Sequence, residues 1–429
     1  MRKVFFLFGL SIVFFSVEAQ RTAPAAYSNS APVNYVRTWD AKAPQTDPSK
    51  ILITASVDSF VMTTQYLDGL GRPLQTVVKG ITPLGKDLVT PVVYDEFGRE
   101  QFKYLPFAAN ATGGNSSTTD GLFKYNPFQQ DSAFYQTSSA VSPIKGQGET
   151  YFYSQSVFES SPLNRLTNSY APGNSWAGNS VGVGQNYLIN TVSDSVRIWI
   201  PSSAVSSAPI TSDIYAAGDL YKNVTIDENG KQVVEYKDKE GKVVLKKVQL
   251  SNTPGTAHVG WLCTYYVYDD LGNLRFVLQP KAVETIMNNW TISDVVRDEL
   301  CFYYGYDARK RMTTKKVPGS GEVWMVYDGR DRLAYIQDAN MRTKNWWLTT
   351  VYDALNRPGI TAMMTYTGTR SQLENFATDA NNLSGSTTVT IQGGNAPPDL
   401  SFSLRESGRT SYQASQSIEF MPGFESEAT

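Results

Sequence analysis

One histidine and two cysteines are all that 429 residues offer a soft metal or a thiol nucleophile. His258 lies in the turn-like stretch Thr253-Pro254-Gly255-Thr256-Ala257-His258, and Cys263 and Cys301 belong to separate segments. A conventional zinc site is excluded on that count. Two cysteines also cannot staple a chain this long, so burial has to hold it together. Excess charge is lacking too. There are 38 Lys and Arg against 40 Asp and Glu, a net of −2; without residues 1–19 it is 36 against 39, or −3. Such a balance attracts neither nucleic acid nor anionic lipid. Beyond the N-terminus no apolar run approaches the ~20 residues of a membrane-spanning helix.

At the N-terminus, Arg2 and Lys3 precede an apolar stretch from Val4 to Val17, and Val17-Glu18-Ala19 places small residues at the −3 and −1 positions of a cleavage site. Residues 1–19 therefore read as a cleavable signal peptide, with the mature chain starting at Gln20. The expected location is periplasmic, outer-surface or extracellular. No cysteine lies near the cut, which argues against lipid acylation.

What is abundant points to strands and turns. Aromatic residues make up 12% of the chain, with 25 Tyr and 8 Trp, and there are 32 Gly and 21 Pro. This is the profile of a mainly β protein.

An internal repeat dominates the sequence. Its pattern is an apolar residue (usually Tyr), Asp, two variable residues, a small residue and a basic one. Copies centre on Asp68, Asp95, Asp227, Asp238, Asp269, Asp307, Asp328 and Asp353, with a degraded ninth at Asp338-Ala339-Asn340-Met341-Arg342. The residue four after the Asp is basic in seven of the eight good copies, the exception being Asn273. The physics is that of a hairpin. The Asp side chain accepts backbone N–H groups two residues on, and Gly or Asn three residues on takes the left-handed conformation that ends a three-residue loop. The basic residue then starts the return strand beside the carboxylate. Lys310 and Asp331 depart from Gly/Asn at the left-handed position, so those two turns are expected to be looser or built differently.

The flanks read as strands. Tyr265, Tyr266, Val267 and Tyr268 are apolar on both faces, as are Val323 to Tyr327, which implies a sheet between layers or lining an enclosed surface. Lys281–Leu300 reads as a helix broken at Asn288-Asn289, its second half starting near Ser293 with Ile292, Val295, Val296 and Leu300 on one face. Thr367–Asn381 reads as a second short helix.

These turns resemble the Rhs/YD-repeat family. Tyr66–Gln75 (YLDGLGRPLQ), Tyr94–Pro106, Gly218–Lys247, Trp261–Pro280 and Leu300–Asp338 are similar to the N-terminal domain of unknown function of large bacterial envelope Rhs proteins. The resemblance covers about residues 30–365. It implies meandering antiparallel YD hairpins, a part of the hollow β-shell that encloses a C-terminal toxin in that family. The repeats are too few to close a shell, and neither a terminal Rhs core nor an effector domain is recognisable. The expectation is thus the front piece of a longer or split gene, or a shortened member.

The expected organisation is a signal peptide (1–19), a flexible lead-in (20–50), an N-terminal Rhs-associated β domain (51–215), a repeat sheet (216–365), a linker (366–398) and an incomplete β element (399–429). Within 121–215, only Glu149–Tyr153 and Ser195–Ile200 look strand-like; Ala108–Asp120 reads as a loop.

Candidate chemistry is thin. Gly178-Asn179-Ser180-Val181-Gly182 has nucleophile-elbow spacing but lacks the strand before and helix after that the motif needs. His258 reads as a polar loop residue with no triad partner nearby in sequence. Asp269-Asp270 could mimic a glycosidase pair, yet Asp269 already belongs to a turn. Trp346 and Trp347 are adjacent on a strand and face opposite ways, which gives no flat sugar platform. No residue is assigned a catalytic, cofactor-binding or metal role. The expected function is a non-enzymatic exported scaffold whose partner is another protein or the remainder of an Rhs shell. The alternative is a surface adhesin or glycan-binding protein. Cys263 and Cys301 are expected to stay unpaired, because the return strand Leu274–Leu278 should run between them.

Overall fold

A computed structural model describes residues 23–28, 33–115, 117–136, 149–353, 355–378, 399–402 and 417–420. The expected signal peptide and the polar stretch Leu383–Pro398 lie outside the described residues. The described chain is mainly β and antiparallel, and it divides into two compact units. One takes the chain up to Asn186 together with Thr225–Gly230; the other takes Tyr187–Val224 and the chain from Lys231 on. No helix among the described residues is long and apolar enough to cross a membrane.

The first unit holds β1 (Asn34–Ala41), β2 (Phe60–Leu67), β3 (Pro73–Val78), β4 (Leu88–Pro91), β5 (Phe102–Tyr104), β6 (Phe107–Ala108), helix α1 (Pro127–Tyr135), β7 (Tyr153–Phe158) and β8 (Leu166–Tyr170). Strands β1-β2-β3-β4-β6 form one sheet in that order. Alternation puts Tyr66, Val77, Val89 and Phe107 on its buried face, where Phe123, Phe134 and Tyr135 pack against them. Strands β5, β7 and β8 run antiparallel into β9 (Val183–Ile189), with Tyr104, Phe128, Phe152 and Tyr153 as their core.

Two expectations are corrected here. The lead-in holds strand β1, which pairs residue for residue with β2 from Asn34↔Leu67 to Ala41↔Phe60. The stretch 121–215 carries β7, β8, β9 and α1. Their sequences alternate weakly because most of their residues are only half-buried, so periodicity had little to report. Helix α1 opens on Asn126-Pro127 and buries Gln130 and Asp131 beside Phe128, a face too polar to read as core.

In the second unit the chain meanders. Strands β10 (Tyr221–Ile226), β11 (Gln232–Lys237), β12 (Val243–Gln249), β13 (Trp261–Tyr268), β14 (Leu274–Leu278), β15 (Cys301–Tyr306), β16 (Met312–Lys316), β17 (Val323–Tyr327), β18 (Leu333–Gln337), β19 (Trp346–Tyr352) and β20 (Pro358–Thr365) neighbour one another in sequence order. Each quoted Asp from Asp269 to Asp353 lies at a hairpin turn, as the repeat requires. Helices α2 (Pro280–Ile286) and α3 (Asp294–Leu300) interrupt β14 and β15; α4 (Ala339–Thr343) joins β18 to β19, and α5 (Arg370–Thr378) follows β20. Ser293 caps α3, as its sequence suggested, but of the four residues expected on one face only Val296 is buried, while Val295 is 71% exposed. The degraded ninth repeat is not a turn: Asp338 caps α4, its Oδ1 accepting from Met341 N at 2.7 Å. The two short strands β21 (Asp399–Phe402) and β22 (Ser417–Phe420) pair in parallel.

The sheet is not equally buried on its two faces. Tyr265, Val267, Phe276, Leu278 and Tyr303 are buried, whereas Tyr266 and Tyr268 are half-exposed. The covered face meets the irregular stretch 190–215 and α5. Trp199 packs on Tyr265, and Leu373 and Ala377 join Val326 and Trp347 in one core. Apolar residues on the other face reflect strand propensity for aromatics rather than a second layer.

Cys263 and Cys301 are both buried and free. Strand β14 runs between them, with Tyr265↔Leu278 on one side and Leu278↔Cys301 on the other. Two strand spacings of ~9–10 Å exceed the ~7 Å reach of a disulfide. Thiol titration of unfolded, non-reduced protein should find two free thiols per chain; none would mean the strand order is wrong.

Candidate functional site

The most regular chemistry in the molecule is the turn itself. In the copies at Asp68, Asp95, Asp238, Asp269, Asp307, Asp328 and Asp353, the Asp N–H donates to the carbonyl four residues on, and the N–H three residues on donates back to the Asp carbonyl. Asp68 Oδ1 accepts from Leu70 N at 2.8 Å and Arg72 N at 2.9 Å; Asp95, Asp307, Asp328 and Asp353 repeat both contacts. The second carboxylate oxygen takes the guanidinium: Nε of Arg99, Arg311, Arg332 and Arg357 lies 2.7 Å from it, and that of Arg72 2.8 Å. The Asp thus accepts bonds at both oxygens, and arginine supplies the fork.

The left-handed position is filled by Gly71, Gly98, Gly230, Gly241, Gly272 and Asn356 at φ between 62° and 84°. Lys310 (φ 62°) and Asp331 (φ 63°) adopt it as well, so these turns are built like the others, contrary to expectation. A non-glycine residue there costs roughly 1–2 kcal/mol, and each has compensating contacts. Lys310 Nζ donates to Leu271 O at 2.9 Å, and Asp331 accepts from Arg309 and Arg311 at 2.6 Å.

Strand register follows from the turn. The residue before the Asp pairs with the residue five after it, and the register then shifts at the sixth, as in Tyr268↔Leu274 and Val267↔Phe276. The same bulge recurs at Leu67, Lys237, Tyr306, Tyr327 and Tyr352. A further copy went unnoticed in the sequence because Glu159 replaces Asp and the loop is longer. Phe158↔Leu166 shows the same bulge, Asn164 is left-handed at φ 51°, and Arg165 pairs with Glu159 at 2.8 Å.

The basic residue also reaches forward. Arg72 lies 4.5 Å over the ring of Tyr94, Arg99 4.6 Å over Phe158, Lys242 5.6 Å over Tyr268, Arg311 4.7 Å over Tyr327 and Arg332 4.8 Å over Tyr352. In each case the ring belongs to the next copy, so each of these five turns grips its successor. Because hairpins alternate ends, the turns from Asp238 to Asp353 share one end of their sheet. At the opposite end, buried polar residues nine after the Asp pin the connections. Lys247 Nζ donates to Ala257 O at 2.7 Å and Thr256 O at 3.0 Å, Lys316 Nζ to Asp298 O, and Gln337 Nε2 to Trp346 O at 2.9 Å.

The weighed catalytic candidates are dispersed. Ser180 ends a short 3-10 turn at φ 54°, with no helix following it. His258 is buried rather than an exposed loop residue, because Trp290 and Tyr265 close over it. Its Nε2 pairs with the Tyr265 hydroxyl at 2.8 Å, and burial, with Lys247 and Arg197 nearby, pushes its pKa down to about 3. Asp269 accepts from Leu271 N and Asn273 N in its turn while Asp270 is exposed. Trp347 is 2% exposed in the core and Trp346 faces the other way, under Lys344. Among the described residues no group of three or more His, Cys, Asp or Glu is placed to hold a metal.

Residues 37–189 match a family described as a domain of unknown function, DUF6443. No curated protein matches the chain. Among solved structures it is similar to the crystal structure of TcdB2-TccC3-TEV, at 15% identity over 84% of this chain and a TM-score of 0.46. It is also similar to a Photorhabdus luminescens Tc holotoxin pore, at 15% identity over 79% of this chain and a TM-score of 0.44. The chain spans 14% of the length of those solved chains.

Removing one turn carboxylate should be costly. Asp328→Ala removes the acceptor of the Arg330 and Arg332 N–H groups and of Arg332 Nε, leaving that guanidinium only its Nη1 bonds to Asn356 and Asp353, and is expected to lose ~2–4 kcal/mol in denaturant melts. Arg332→Lys keeps the charge but not the fork and should lose ~1 kcal/mol. Equal losses from both would show that charge alone matters.

The first unit should respond to pH in two opposite senses. Backbone and guanidinium bonds from Arg72 hold the Asp68 carboxyl below its usual range, and those from Arg99 do the same for Asp95 against the pull of burial. Their stabilisation is complete above the unfolded value of about 4 and is lost as pH falls through the depressed folded values. Asp131 is the reverse. It is fully buried, neither oxygen has a hydrogen-bond partner, and burial pushes its carboxyl well above the usual range. Its contribution is present below about 4 and is lost as pH rises towards the folded value. Urea melts from pH 3 to 8 should therefore show stability declining on the alkaline side in the native protein and flat there in Asp131→Asn. An unchanged alkaline limb in that variant would refute the assignment.

Proposed function

We propose that this chain is a non-enzymatic, exported structural scaffold: the N-terminal part of an Rhs/YD-repeat cell-envelope or effector-delivery protein that works by joining further repeats. The observation that carries this reading is the state of the last grip. Arg311 and Arg332 are 21% and 16% exposed beneath the rings of their successors, but Arg357 is 61% exposed. It makes the same 2.7 Å contact with Asp353, and no ring covers it among the described residues. Strand β20, which Arg357 precedes, is the outermost strand of its sheet. A closed turn with an uncovered guanidinium beside an outer strand suits one more hairpin bearing an aromatic residue before its Asp, whether from the same polypeptide or a partner. Export rests on the signal-like N-terminus, and the absence of enzymatic activity on the structural employment of the conspicuous Asp residues. The alternative, a glycan-binding surface protein, draws on an aromatic cleft in the first unit.

A photo-crosslinking residue placed at Thr361 of β20 should capture a YD-repeat segment in cells, and Arg357→Ala should weaken capture about tenfold, as loss of one desolvated cation–π contact of ~1–2 kcal/mol implies. Capture that is insensitive to Arg357, or confined to polypeptides without such repeats, would count against the reading.

A further inference from the structure

The first unit carries a cleft of about 550 Å³ between β1 and residues 114, 115 and 117–125. That volume is in the range of small-molecule sites. Val33, Tyr35 and Arg37 line it from alternate positions of the strand and its lead-in, hence from one face. Four rings form a continuous wall. Tyr35 and Tyr66 are 5.9 Å apart, Tyr66 and Phe123 5.1 Å, and Phe123 and Tyr125 5.5 Å. The inner pair is packed into the core, and the outer two, Tyr35 and Tyr125, are 56% and 40% exposed. Exposed rings held this firmly are unusual on a surface that needs no ligand, because nothing in the hairpin repeat requires them.

Polar groups are fixed around the rings. Arg37 Nε donates to Thr64 Oγ1 at 2.9 Å and its guanidinium lies 4.8 Å from the centre of the Tyr35 ring. Asp120 is held by Lys124 Nζ at 2.8 Å and by Leu122 N at 3.0 Å, and its side chain remains 32% exposed. Lys124 is itself buried and bonded to Asp87 at 2.7 Å. The two cations and two carboxylates cancel, so the cleft offers no net charge to an ionic ligand.

We propose that this cleft binds a neutral oligosaccharide. A pyranose presents an apolar C–H face that stacks on an aromatic ring, and a rim of hydroxyls that needs both donors and acceptors. Tyr35 and Tyr125 supply the stacking surfaces, Arg37 the donors and Asp120 the acceptor. The rings are preordered by their neighbours and little side-chain freedom is lost on binding.

The test uses the intact mature protein and the probes maltotriose, cellotriose and tri-N-acetylchitotriose in calorimetric titrations. At least one should bind, and Tyr35→Ala and Tyr125→Ala should each weaken it about tenfold or more. Tyr221→Ala, an equally exposed tyrosine of the second unit (58%), should change nothing. Thermal melts of each variant separate lost binding from lost folding, and Tyr35→Phe, which keeps the ring, should retain binding. No binding by any probe at about 10 mM would overturn the proposal. So would binding indifferent to both rings, or uptake of an extended peptide along β1 in preference to every saccharide. Failure here leaves the scaffold reading untouched, because Arg357 lies in the other unit.

Discussion

Everything regular in this protein depends on one carboxylate accepting bonds on both oxygens. The turn Asp takes two backbone N–H groups on Oδ1 and, where the residue four on is arginine, a guanidinium on Oδ2. The first pair fixes the bend; the second fixes the arginine. With Nε committed to the Asp, the flat of the guanidinium is left to lie against the ring that comes next. Lysine cannot do both. Lys242 stacks on Tyr268 at 5.6 Å, and its backbone N–H still bonds to Asp238 Oδ1 at 2.8 Å, but its ammonium makes no ion pair with that Asp. The point charge of lysine serves one partner at a time, where the planar fork of arginine serves two.

That division of labour explains why the two ends of the second unit's sheet differ so much. At the turn end, local hydrogen bonds dictate loop length, φ values and the register bulge, so one copy looks like another. In the crossovers from β12 onward nothing local dictates the path, and these connections range from the short 317–322 stretch to the pair α2 and α3. The α2–α3 connection has Leu278 at the ninth position and is held by the next residue, Gln279, whose Nε2 donates to Leu300 O at 3.0 Å. The other three are tied down by the long polar side chain at the ninth position, Lys247, Lys316 or Gln337. These are buried groups that accept the cost of desolvation because several carbonyls await them. For Lys247, burial lowers its pKa to about 8 while the carbonyls and Asp194 hold the ammonium in place.

What was legible in the sequence divides along the same line. The hairpins, the left-handed glycines and the Asp–Arg pairs are decided within five residues, and the sequence displays all of them. Glu159 escaped because its longer side chain spans a six-residue interval to Arg165, a different spacing for the same job. Non-local facts were hidden. Nothing near His258 announces that Trp290, thirty-two residues on, covers it, and nothing near Gln130 announces that Asn110 will claim its side chain. The forward grip of one copy on the next was hidden for a related reason. It links residues between sixteen and fifty-nine apart, an interval set by whatever the crossover happens to be.

The exception at Asn273 shows that the coupling, rather than any residue, is what the architecture keeps. Asn273 retains the turn, its Nδ2 donating to Asp269 Oδ2 at 3.1 Å, but has no charge to place over Tyr306. Two positions later, at the bulge, stands Arg275. Its guanidinium lies 4.0 Å from Asp269, donates from Nε to Tyr304 O at 3.1 Å on the following strand, and reaches Ser202 O at 3.3 Å. The arginine has moved from the fourth position after the Asp to the sixth, and from ring to backbone. It still connects one turn's carboxylate to the next hairpin. This is also the junction where α2 and α3 separate β14 from β15 in sequence, and so the longest loop closed between consecutive strands from β10 to β20. A connection that must offset a larger closure entropy is the place where a stronger link, made of several directional bonds in place of one stacking contact, is of most use.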